Sequence, residues 1–182
     1  MCIRDSLTRT KNVALLVQAF SRLRQAVPKA HLLLVGAGPQ TRTLHKLTAT
    51  LGLEDAVTFA GAYDDLPMVY ATLDVFVLSS DMEISAQALL DAMAAGVPVV
   101  CTASAGVLAL ARHGVTSLVV PPRDAETLGD TVARLLQDKD LAQTIVENAR
   151  QLTRDYSIEH LTERTLESYA KLAAASGKGT GT

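Results

Sequence analysis

Asp74-Val75-Phe76-Val77-Leu78-Ser79-Ser80-Asp81-Met82-Glu83-Ile84-Ser85-Ala86-Gln87-Ala88-Leu89-Leu90-Asp91-Ala92-Met93-Ala94-Ala95-Gly96-Val97-Pro98-Val99-Val100 reads as strand, loop, helix, strand. Val75 to Leu78 is an apolar run of strand length. Ala86 to Ala95 carries apolar residues at helical spacing and stops at Gly96, beyond which Pro98 forbids continuation. Val97 to Cys101 is the next strand. Strands that are apolar throughout, without polar alternation, are covered on both faces, which is the habit of parallel sheets. The loop carries Glu83 and the second helical turn carries Asp91, where ligands of α/β sheets bind: beyond the carboxyl ends of strands and against helix N-termini.

The same alternation extends in both directions. Upstream, Val13, Leu16, Val17, Phe20, Leu23 and Val27 form a helical stripe, and His31 to Val35 is a buried strand ending at Gly36-Ala37-Gly38-Pro39. A helix from about Gln40 to Leu51 stops at Gly52, Val57 to Phe59 is a short strand closed by Gly61, and a brief helix covers Leu66 to Leu73. Downstream, a short helix is expected over Val107 to Arg112 and a last strand over Ser117 to Val120, halted by Pro121-Pro122. Helices near Ala125 to Gln137, Leu141 to Tyr156 and Ile158 to Ala175 follow without strands. The expectation is one α/β domain over residues 7–176, a doubly wound, mostly parallel, Rossmann-like sheet of five or six strands with extra C-terminal helices. Residues 1–6 fit no element and read as a foreign or truncated start, leaving the sheet without a strand before the first helix, as in a fragment. Residues 177–182 read as a disordered tail.

At 182 residues and 48% apolar content the chain has enough material for one sizeable core. A formal charge of −2 with no lysine and arginine stripe argues against a nucleic-acid partner. No apolar stretch reaches spanning length and no signal-peptide pattern opens the chain, so a cytoplasmic location is expected. Two cysteines, Cys2 and Cys101, and four scattered histidines offer no metal-ligand spacing, and Cys101 is read as a small core residue. A nucleophile elbow and a Walker lysine loop are both missing from the sequence.

Ser85 is the expected N-cap of the helix that carries Asp91. Helical steps put Ala86, Leu89, Leu90, Met93 and Val97 toward the sheet and Gln87, Asp91 and Ala94 on another face. Asp91 then flanks the helix end, about 9 Å from Ser85, with room for a ribose beside it and a diphosphate at the helix start. Taken alone, two acids at this spacing are more often solvated surface residues. The turn at Gly36 lacks the third glycine of a dinucleotide fingerprint; it fits a tight strand-to-helix turn as well as a ligand contact. Lys11, ahead of the first helix, is within reach of a phosphate, although a lone lysine is more often solvated.

In order, Lys11-Asn12-Val13 with Ala19-Phe20-Ser21-Arg22-Leu23, Leu33-Leu34-Val35-Gly36-Ala37-Gly38-Pro39, Val57-Thr58-Phe59-Ala60-Gly61, Asp74 to Ser80, Leu89 to Val100 and His113 to Pro122 resemble the C-terminal half of the group-one, retaining glycosyltransferases of GT-B fold. The resemblance covers about residues 7–175. It implies transfer of a sugar, with retention, from a nucleoside-diphosphate sugar to a sugar, lipid or other hydroxyl acceptor, in carbohydrate or cell-envelope glycan biosynthesis. It also implies that this chain is the donor-binding half, inactive alone, and that the acceptor-holding N-terminal domain is absent. Any peripheral membrane association would run through that missing half. By resemblance, Glu83 matches the first acid of the Glu-x7-Glu motif, near the reacting carbon, and Asp91 the second, on the ribose. Lys11 matches the lysine at the diphosphate, Ser85 and Ala86 offer amides to sugar and phosphate, and Gly61 and Ala62 look like the base pocket. No metal and no cofactor beyond the donor is implied, since cations and amides offset the leaving group's charge. The sequence departs from the family at Asp91, where glutamate is usual, at Ile84-Ser85-Ala86, and at Ala105-Gly106-Val107-Leu108-Ala109, which replaces Gly-Gly-x-Pro-Glu; the family's arginine before the lysine would fall near Ser6. A non-catalytic nucleotide-sugar or partner-binding module of the same fold is the alternative these departures suggest.

Overall fold

The computed structural model describes residues 2–4, 7–83 and 86–176. Six strands, β1 (Cys2–Arg4), β2 (Leu32–Val35), β3 (Val57–Gly61), β4 (Phe76–Leu78), β5 (Val99–Thr102) and β6 (Leu118–Val120), form one sheet in the order β3-β2-β1-β4-β5-β6. Every pair is parallel. Between and after them run α1 (Val13–Ala26), α2 (Thr41–Thr50), α3 (Leu66–Ala71), α4 (Gln87–Ala95), α5 (Ala105–Leu108), α6 (Ala125–Gln137), α7 (Lys139–Arg154) and α8 (Ile158–Ser176). The expected doubly wound, Rossmann-like α/β fold with C-terminal helices is what forms.

The period-two alternation of strand side chains divides the core into two layers. Leu32, Leu34, Val77 and Val100 pack against Leu16, Phe20 and Leu23 of α1 and Leu128 and Val132 of α6 on one face. Phe76, Leu78, Val99 and Cys101 pack against Leu89 and Met93 of α4 and Ala149 of α7 on the other. Asn12, Asp124 and Asp138 cap α1, α6 and α7 by accepting the Leu15, Thr127 and Leu141 amides. These caps satisfy donors that no helix can satisfy itself.

Two expectations are corrected. Cys2–Arg4 are not outside the fold: they form β1, with Ile3 opposite Leu34 and Cys2 opposite both Leu33 and Phe76. Three residues are too few to show a period, and both partners lie far along the chain, so the strand leaves no local signal. α5 covers Ala105–Leu108 instead of Val107 to Arg112, because Arg112 to Ser117 close a turn in which the Thr116 and Ser117 amides donate to the Arg112 carbonyl. The expected disordered tail, 177–182, lies outside the described residues. Along α8, Leu161, Leu166, Tyr169 and Leu172 are all exposed.

Cys101 is wholly buried, and burial pushes its thiol from the ordinary 9.0 up to about 12, the Ser117 hydroxyl opposing slightly. The folded chain therefore holds this proton more tightly than the unfolded chain. Stability is full below about pH 9 and falls as pH rises from there toward about 12. Denaturation at pH 8 and pH 10.5 should show this loss, and Cys101→Ala should shrink it; an equal loss in both proteins would remove the thiol as its cause.

Candidate functional site

The strand order reverses direction between β1 and β4, so the crossovers on either side leave in opposite senses and open a crevice at the carboxyl ends of these two strands. The loop after β1 brings Lys11 to this crevice, and the loop after β4 brings Glu83. The Lys11 ammonium donates to both Glu83 carboxylate oxygens, at 3.0 Å to Oε1 and 2.9 Å to Oε2. Ser80 Oγ donates to Oε2 at 3.0 Å, and the whole Glu83 residue is only 8% exposed. A buried carboxylate is tolerable because a cation and a hydroxyl meet it.

Backbone contacts aim these side chains. Ser79 Oγ donates to the Lys11 carbonyl at 3.0 Å, and Thr102 Oγ1, at the end of β5, donates to the Ser80 carbonyl at 2.7 Å. Asn12 adopts the left-handed conformation, φ 44°, which asparagine tolerates better than most residues. Its side chain does two things: Oδ1 caps α1, and Nδ2 donates to Asp81 Oδ1 at 2.9 Å. The start of the β1 loop is clamped to the turn after β2, where the Leu7 amide donates to Ala37 O and the Gln40 amide to Leu7 O. A Cβ on Gly38 would lie 2.6 Å from the Leu7 carbonyl oxygen. The glycine at 38 thus allows one backbone to approach another. Gly36, at φ 130°, donates its amide to the Gly61 carbonyl.

Gly61, Ala62 and Asp91 lie apart from the ion pair. Gly61 ends β3 at φ 67° with open space where a Cβ would be, and Ala62 beside it is exposed. β3 is three strand spacings from β4, about 14 Å. Asp91, half-buried on the second turn of α4, accepts from Gln87 Nε2 at 2.8 Å. It lines a cleft of about 560 Å³ shared with Thr153, Tyr156, Leu161 and Arg164 of the α7–α8 region, and neither Lys11 nor Glu83 lines that cleft. Ser85, expected as the N-cap, lies outside the described residues, as does Ser6. The described cap of α4 is Ala86, which has no side-chain hydrogen bond to give. Among the described residues no three of His, Cys, Asp or Glu gather in a way that would hold a metal ion.

In the sequence Lys11 and Glu83 stand out separately, while Ser79, Ser80, Asn12, Asp81 and Thr102 do not. One signal was available: an asparagine directly ahead of a helical stripe is a preferred cap. The hydroxyls at the ends of β4 and β5 carry none, since serine and threonine are ordinary at strand ends.

Residues 3–152 match the family described as glycosyl transferases group 1. The chain belongs to the group 1 glycosyltransferases. Among the similar members is the GDP-mannose-dependent alpha-(1-6)-phosphatidylinositol monomannoside mannosyltransferase of Mycobacterium tuberculosis, 40% identical over 136 residues, covering 70% of this chain and 35% of that protein. The N-acetyl-alpha-D-glucosaminyl L-malate synthase of Bacillus anthracis is 36% identical over 147 residues, covering 81% of this chain and 38% of that protein. In structure the chain resembles Anabaena HepE in complex with UDP-glucose, with a TM-score of 0.86, 25% identity, and coverage of 93% of this chain and 48% of that one. This group 1 chain thus spans between about a third and a half of the length of the relatives it matches. Among its described residues no helix is long and apolar enough to cross a membrane.

Proposed function

We propose that this chain is the nucleotide-sugar-binding half of a retaining glycosyltransferase, moving a sugar from a nucleoside diphosphate to a hydroxyl acceptor in cytoplasmic carbohydrate or cell-envelope glycan biosynthesis. The observation that carries this reading is the Lys11–Glu83 pair in the crevice between β1 and β4. An ammonium there is a point charge for a diphosphate, and a carboxylate beside it accepts hydrogen bonds from sugar hydroxyls. The base lies toward Gly61 and Ala62, and Asp91 takes the ribose hydroxyls. The Ala86 amide, at the start of α4, and that of Ser85 are assigned to the sugar and phosphate. Lys11 and these amides offset the charge that develops on the leaving diphosphate, without a metal or a further cofactor.

The relatives support the donor class: a GDP-mannose-dependent mannosyltransferase, and a protein solved with UDP-glucose. We assign the acceptor, a sugar, lipid or other hydroxyl compound, to an N-terminal domain, a reading supported by relatives two to three times the length of the segment they share with this chain. Calorimetric titration of the chain with UDP and with GDP tests the assignment. Asp91→Ala should weaken the preferred diphosphate about tenfold, the low end of the worth of one charge-assisted hydrogen bond; unchanged affinity removes the ribose role. If the chain joined to an upstream Rossmann-like half neither transfers sugar nor hydrolyses any common donor, the chain is a binding module and not part of an enzyme.

A further inference from the structure

Asp81, two residues before Glu83, belongs to no motif considered above, yet it ties three loops together. Its Oδ1 accepts from Asn12 Nδ2 at 2.9 Å, its Oδ2 accepts from Arg123 Nε at 3.3 Å, and its backbone amide donates to the Thr10 carbonyl at 2.9 Å. These partners lie in the loops after β1 and β6, while Asp81 itself is in the loop after β4. Asn12 and Arg123 are the only non-glycine residues at positive φ among the described residues, at 44° and 63°. Both hold a conformation that costs most L-residues free energy, and both point their side chains at the same carboxylate.

We propose that Asp81 is the positioning residue of this site: by holding Asn12 and Arg123 it locks the loops after β1, β4 and β6 together and so fixes the Lys11 ammonium where a nucleoside diphosphate must meet it. The proposal rests on the reading of Lys11 as the diphosphate cation. Lys11 adjoins Asn12, whose amide is held at both ends, by the Leu15 N–H on Oδ1 and by Asp81 on Nδ2. Releasing the Asp81 end leaves the Asn12 side chain held through Oδ1 alone and unties the Lys11–Asn12 segment from the loops after β4 and β6, so the direction of the neighbouring lysine is less firmly set. Arg123 acts through Asp81 as a brace. Its side chain is 78% exposed, so the ion pair is screened and serves orientation more than stability.

The test is a thermodynamic cycle on the full chain, read by calorimetry with whichever of UDP and GDP binds better, and with the corresponding free nucleoside as a control that lacks phosphate. Asp81→Ala should weaken the diphosphate about tenfold and leave the nucleoside unchanged, while in a Lys11→Ala background the same substitution should have no further effect. Asp81→Asn, which keeps an acceptor for Asn12 but gives up the charge facing Arg123, should retain most of the affinity. A loss shared equally by diphosphate and nucleoside, or additive with Lys11→Ala, would mean a merely structural role and overturn the proposal. Should Lys11→Ala weaken the diphosphate while Asp81→Ala does not, the positioning role falls and the site reading stands. Lys11→Ala without effect on the diphosphate overturns both.

Discussion

Lys11→Ala should be the most damaging single change at the site, lowering both the stability of the chain and its affinity for a nucleoside diphosphate. Side-chain exposures of 14% for Lys11 and 6% for Glu83 leave the ammonium partly and the carboxylate almost fully buried, so that loss of the lysine strands a buried charge. Breaking such a pair typically costs about 3 kcal/mol or more, because the remaining carboxylate keeps its desolvation and loses its counter-ion. That is a large share of the roughly 5–15 kcal/mol that holds a domain folded. Affinity should fall by about ten- to a hundredfold, the range of one charge-assisted contact to phosphate.

The two losses separate on adding Glu83→Gln. That second change removes the stranded charge, so the double variant should recover most of the stability while binding the diphosphate no better. Urea denaturation gives the first quantity and calorimetry the second. A drop in stability below about 1 kcal/mol for Lys11→Ala would show the pair to behave like a solvent-screened surface bridge. Recovery of affinity in the double variant would mean that Lys11 acts only by neutralising Glu83.

Gly129→Ala should destabilise the chain although glycine inside a helix is ordinarily the weaker choice by about 1 kcal/mol. Gly129 lies within α6 where that helix crosses α1, and a Cβ there would stand 2.6 Å from the Ala19 carbonyl oxygen and 3.0 Å from Arg22 Cβ. The nearest obstacle is backbone, which cannot rotate away. The helices must part, and with them the layer in which Phe20, Leu128 and Val132 meet the sheet. Overpacking of this kind costs about 1–3 kcal/mol, enough to reverse the propensity gain. Thermal or urea denaturation should therefore show a lower midpoint for the variant; a raised midpoint would mean that the α1–α6 contact yields easily. Because Arg22 also bridges to Asp130 across this contact, at 2.9 Å, a widened gap should loosen that exposed pair as well.

Much of the fold is legible in the sequence. Strands such as Phe76 to Leu78 are apolar at every position, and helices such as α1 and α6 declare themselves by period, cap and stop. Boundaries slipped where turn chemistry competes with helix, as at Ala105 and Arg112. β1 was illegible because a strand of three residues, two of them apolar, is shorter than the period it would have to display. The site was half legible. Lys11 and Glu83 stood out as residues, but their contact did not, and Asp81 offered nothing to single it out from any loop acid. Asp91 carried a role by its place on a helix, while the α7 and α8 residues that share its cleft came from a part of the chain with no motif at all.

The sequence by itself determined the class of this protein: alternating helices and mostly apolar strands point to a parallel sheet covered on both faces, and the ordered landmarks mark the family. Tertiary structure alone decided which loops meet. Lys11 and Glu83 are 72 positions apart, and they touch only because β1 and β4 are neighbours at the point where the winding reverses. Periodicity is a local property, set by burial of one face of one element at a time. Strand order, the close approaches at Gly38 and Gly129, and the shared carboxylate of Asp81 arise from packing between segments distant in sequence, where shape and charge are matched only after the chain has closed its loops.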